Sequence, residues 1–132
     1  MPTTRPVLLF LHAPAMAGGA AAGVLGSFVH PLRVAGLPGG LLLALALCVT
    51  VIGAAGLLVG SRSGAGAAAV GWLVMVLLFA APRAEGDLVV AGDPAGYLWL
   101  FGGTLAAGLA IGWPYGRRAR ADRSSARGAD GR

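Results

Sequence analysis

The sequence predicts an all-α membrane protein. The expected form is a four-helix up-down transmembrane bundle over residues 1–115, followed by a disordered basic C-terminal tail over 116–132. Three observations carry this reading. Only 11% of the 132 residues are charged, against about 25% in a soluble domain. Four apolar segments each approach the roughly 17–25 residues that a membrane-crossing helix needs. The charge is gathered outside those segments: all ten basic residues are arginines, and six of them fall between Arg117 and Arg132.

The spans are expected at about residues 7–29, 39–60, 64–81 and 95–113. The first holds His12, Pro14 and the small-residue run Ala15 to Gly23. Arg5 and the nearby Ala-x-Ala patterns give this end some likeness to a signal peptide. The apolar run Val7–Leu11 is short for that role, and apolar character continues to Val29, so an uncleaved first span is the favoured reading. The second span contains the most continuous apolar run, Leu41 to Ile52. His30-Pro31-Leu32-Arg33 and Gly36-Leu37-Pro38-Gly39 punctuate the chain before it, since proline stops one helix and opens the next. Ser61 to Gly64 reads as a tight turn into the third span, and Pro82–Pro94 as the longest and most polar loop. Short connections favour antiparallel neighbours.

Arginine counting orients the bundle. An even number of spans puts Arg5, Arg62 and the six tail arginines on one side and only Arg33 and Arg83 on the other. Both termini are therefore expected in the cytoplasm, with the protein in the cell membrane. Tyr97 and Trp99 stand near one end of the fourth span, and Trp113 and Tyr115 at the other. Tyr97 and Tyr115 are separated by about 27 Å at 1.5 Å per residue, close to the roughly 30 Å hydrocarbon core.

Ionisable residues inside spans are functional candidates by default, and here His12 stands almost alone. Proline two residues on frees a backbone carbonyl in the preceding turn, so the expectation for His12 is a neutral ring satisfying backbone near the interface. Proton relay or metal binding is the sharper alternative. The spans offer no carboxylate and, besides His12, only Cys48 as a metal ligand type, so no catalytic, cofactor or metal site is expected. Ser27, Thr50 and Thr104 are expected to bond back to their own helices. Cys48 reads as a small buried apolar residue.

The densest polar constellation is the third loop, where Arg83, Glu85, Asp87 and Asp93 form a candidate contact surface. Its spacing matches no calcium loop. In the tail, Arg117, Arg118, Arg120 and Arg123 are expected to meet anionic lipid headgroups, each worth about 1 kcal/mol near the surface. The net charge of +5 sits in that tail rather than in a folded basic domain, which argues against nucleic acid. The pairs Gly19/Gly23, Gly56/Gly60 and Gly108/Gly112 suit close helix packing, read mainly as packing within the monomer. Val34–Gly40 and Val90–Gly96 match at five of seven positions. A recurring Gly/Pro turn explains the echo more simply than a duplicated hairpin.

Gly71-Trp72, Pro82-Arg83, Glu85-Gly86-Asp87 and Gly96-Tyr97 together resemble a family of small actinobacterial integral membrane proteins of unknown function. The likeness spans Ser61 to Gly112, and the resemblance implies a four-span membrane protein without bringing an activity. The functional expectation is a non-enzymatic accessory or scaffold component that acts by helix association with a membrane-protein partner or a second copy. A small dimeric transporter or channel is the alternative.

Overall fold

The computed structural model describes residues 4–82, 84, 86, 90, 92–115 and 125–129, with side chains described from Leu9 onward. Four helices follow in order: α1 (Thr4–Val29), α2 (Gly39–Val59), α3 (Arg62–Ala80) and α4 (Pro94–Gly112). Each is long and apolar enough to cross a membrane, α1 from Leu9 onward. Apolar residues run all round α2, α3 and α4 rather than along one stripe, the pattern of a helix with no water-facing side. Of the tail, residues 125–129 form a single exposed helical turn where irregular chain is expected; the rest of it lies outside the described residues.

The connections are built by local backbone chemistry. A Val34–Leu37 bridge closes the α1–α2 turn, with Ala35 and Gly36 both in the left-handed region. α2 ends in a Schellman motif: Gly60 is left-handed, its N–H donates to Leu57 O, and the Ser61 N–H donates to Gly56 O. That reversal is completed by Ser61, so Arg62 and Ser63 are already helical. The turn is thus tighter, and α3 two residues longer at its start, than the sequence suggests. α4 begins with Asp93 accepting the Gly96 N–H at 2.8 Å and Pro94 in its first turn, the side-chain cap that satisfies an orphan helix donor.

α1 and α3 make the most extensive contact in the bundle. They run parallel, with Gly19 on Ala68, Gly23 on Trp72, and Gly71 between Met16 and Ala20. A Cβ built on Gly19 or Gly71 would overlap the facing backbone, at Ala68 O and Met16 O respectively. The two helices therefore touch backbone to backbone, which only small residues permit. α2 runs antiparallel to α1, its Gly40 seated on the Val29 and Leu32 carbonyls. It runs parallel to α4, with Leu45 beside Gly102 and Cys48 beside Gly103. α3 and α4 meet through Trp72 and Gly103. α1 and α4 lie on opposite flanks, bridged by the Trp99 ring over Gly26.

Trp72, Trp99, Ile52, Val76 and Cys48 fill the interior. The two indoles pack edge to face, 5.4 Å between centroids and 80° apart, an arrangement worth about 0.5–1.5 kcal/mol beyond area burial. Each indole rests on a glycine of the facing helix, Trp72 on Gly103 and Trp99 on Gly26. Small residues here make room either for a backbone or for a ring.

Gly19→Ala should lower thermal stability in detergent by about 1–3 kcal/mol or more, the cost of overpacking. Gly108→Ala, with open space around its Cβ position, should leave the melting temperature unchanged or raise it. Equal melting temperatures for the two variants would contradict the packing described.

Candidate functional site

Polar side chains collect at the two ends of the bundle. At the end bearing the α1–α2 and α3–α4 connections, a buried network joins α1 and the turn after it to α4. The Ser27 hydroxyl donates to Gly23 O at 2.7 Å and accepts the Trp99 indole N–H at 3.4 Å. His30, 2% exposed, holds its Nδ1 2.9 Å from Ser27 O and stacks on Trp99 with rings 12° from parallel. Among the described residues, the buried Trp72 indole N–H finds no hydrogen-bond partner. Val90 closes over this end, its N–H donating to Phe79 O at 3.3 Å.

The opposite end carries the α1 start, the α2–α3 turn and the end of α4. His12 Nε2 stands 3.0 Å from Ser63 Oγ, which lies 2.8 Å from Ser61 Oγ. His12 thus reaches across from α1 to the first turn of α3. Arg62 directs Nη2 to Gly112 O at 3.5 Å. The Tyr115 hydroxyl donates to Ala110 O, and its ring covers Gly56 of α2. Burial raises the Tyr115 phenol above its usual range near 10.

The residues singled out in the sequence distribute unevenly. Asp93 is an N-cap, and its described role is structural. Arg83, Glu85 and Asp87 in the same loop lie outside the described residues, as do Arg117, Arg118, Arg120 and Arg123. Thr50 and Thr104 each bond to the carbonyl four residues back at 2.7 Å, as expected, and face outward. Among the described residues no group of three or more His, Cys, Asp or Glu side chains comes together. Of the glycine pairs, Gly19 and Gly23 pack within the monomer. Gly56 underlies Tyr115, Gly60 is a helix cap, and Gly108 and Gly112 face open space.

A family model described as a family of unknown function, DUF6113, matches residues 3–127. The chain belongs to this family. The match runs well beyond Ser61–Gly112, taking in α1, α2 and most of the tail. Among characterised proteins and among solved structures, none matches the chain. For this member of the family, function has to be read from its own geometry.

Two features escape sequence reading. One is the His30–Ser27–Trp99 network, because His30 reads as loop punctuation beside Pro31. The other is a pair of open-sided apolar furrows flanking α2. One, of about 500 Å³, lies between α1 and α2 and is lined by Leu11, Pro14, Gly18, Ala54 and Leu58. The other, of about 400 Å³, lies between α2 and α4 and is lined by Val49, Gly53, Leu57, Ala110 and Trp113. No spacing rule signals either furrow.

Ser27→Ala should leave the Trp99 indole N–H unsatisfied at a cost of about 1–3 kcal/mol. The checks are the melting temperature and the tryptophan emission spectrum. An unchanged melting temperature would show that the network contributes nothing.

Proposed function

We propose that the chain is a non-enzymatic, multi-pass protein of the cell membrane with both termini in the cytoplasm. It acts by association, as an accessory or scaffold component of a membrane assembly. The observation that carries this reading is the filled interior. Two indoles and the side chains of Ile52, Val76 and Cys48 occupy the middle of the bundle. The Thr50 and Thr104 hydroxyls bond to their own helices on outward faces instead of lining a path. A protein of this form works through its surface, which weighs against the alternative of a small dimeric transporter or channel.

Two surfaces support association. The α3–α4 loop bearing Arg83, Glu85, Asp87 and Asp93 concentrates the charge available for specific recognition. The outward face of α4 presents Gly108 and Gly112, whose Cβ positions have nothing within 4 Å among the described residues, and small residues on an open face admit a second helix at close range. The partner is a membrane protein or another copy of the chain. The tail arginines supply orientation and contact with anionic headgroups.

A photo-crosslinking residue in place of Leu109 should give one discrete adduct in native membranes, and mild-detergent extraction should recover the same partner. A lone monomer in both experiments would contradict association. A reporter after Arg132 should read as cytoplasmic, and one within the Glu85–Asp93 loop as external; the reverse pattern would overturn the orientation.

A further inference from the structure

We propose that the furrow between α2 and α4 holds an acyl chain of an anionic glycerophospholipid, with its phosphate met by Arg62. The proposal rests on the membrane reading above and assigns a site within it. The furrow is open along one side, lies in the half of the bundle nearest the termini, and falls within the roughly 300–1,000 Å³ range of small-molecule sites. Its floor is a notch in α2: Gly53, with nothing within 4 Å of its Cβ position, lies between Val49 and Leu57, one turn to either side. Ala110 and Trp113 of α4 form the opposite wall. Such a groove fits a flexible apolar chain. An ordinary lipid would enter it with little gain over the surrounding bilayer, since lipid tails are as apolar as leucine.

Selectivity comes from the mouth. Arg62 lies against the last turn of α4, 3.5 Å from Gly112 O and one residue from Trp113. That contact is long for a charged donor and leaves the exposed guanidinium available. The acid among the described residues, Asp93, caps α4 at the opposite end of the bundle. Arg62 is also the first residue of α3, so its charge adds to the positive end of the helix dipole. Trp113, 64% exposed, sits where an indole ring favours the headgroup level. An anionic phosphate here completes Arg62 by a bidentate pair while its chain lies in the furrow below. Neither furrow has a cation among its lining residues; what sets the furrow between α2 and α4 apart is Arg62 beside it, on the carbonyl next to Trp113.

Trp113 reports on the site directly, because Trp72 and Trp99 are 1% and 0% exposed and shielded from lipid. The full chain would be reconstituted in bilayers doped with phosphatidylglycerol or phosphatidylcholine brominated on the acyl chain, and tryptophan quenching measured. Brominated phosphatidylglycerol should quench at about fivefold lower mole fraction, the preference that one arginine contributes at an anionic surface. Arg62→Gln should remove the preference. Gly53→Leu, which fills the notch, should weaken quenching by both lipids with an unchanged circular dichroism spectrum. Replacing Arg117 and Arg118 by glutamine should leave the preference in place. Equal quenching by the two lipids, a preference that survives Arg62→Gln, or one lost only with the tail arginines would each overturn the site. A chain that fails to float with the bilayer would overturn the membrane reading itself.

Discussion

The bundle depends on one contact, the backbone-to-backbone approach of α1 and α3. Gly19, Gly23 and Gly71 remove every side chain that would hold the two helices apart. Once those axes are fixed, α2 can seat on both helices, and α4 packs mainly on α2 and α3. The consequence is asymmetric. α1 and α4 stand on opposite flanks, and Trp99 spans the interior to reach Gly26. A larger residue at Gly19 or Gly71 would separate α1 from α3 and withdraw the surface against which the indoles pack.

Polar groups follow the same economy. In a low-dielectric setting an unpaired polar atom is costly, and the Ser27, Thr50 and Thr104 hydroxyls are tied to carbonyls of their own helices. Ser27 does more, since its oxygen also receives the Trp99 indole N–H while the carbonyl of the same residue meets His30. One short turn of α1 therefore organises the end opposite the termini. The other end is looser. His12, Ser61 and Ser63 form an exposed chain of contacts, Arg62 ties the start of α3 to the end of α4, and Tyr115 folds back on Ala110 and over Gly56 of α2. Both furrows open near this looser end, beside the second half of α2.

The spans themselves were legible because nothing but long apolar runs separated by Pro, Gly and Arg could produce them. Their ends were less so. The early start of α3 at Arg62 depends on Gly60 adopting a left-handed conformation, and that glycine reads like any other in a chain with 23 of them. The same ambiguity covers the interior. Gly19, Gly53, Gly60 and Gly108 are identical in sequence yet serve as a helix contact, a notch, a cap and an open face. With apolar residues all round each helix, periodicity does not say which face turns inward, so Trp72 and Trp99 were not separable from the exposed Trp113. Asp93 was visible as a polar residue before Pro94, but its capping role emerges only with the Gly96 N–H beside it.

The close approach of α1 and α3 is the central claim, and solid-state NMR of the chain in lipid bilayers tests it most directly. With glycine Cα and alanine and methionine carbonyl carbons labelled, through-space cross-peaks should link Gly19 with Ala68 and Gly71 with Met16. Gly108 should show none beyond its own helix. Absence of the Gly19–Ala68 and Gly71–Met16 peaks, in a sample whose α-helical signals are intact, would contradict the account.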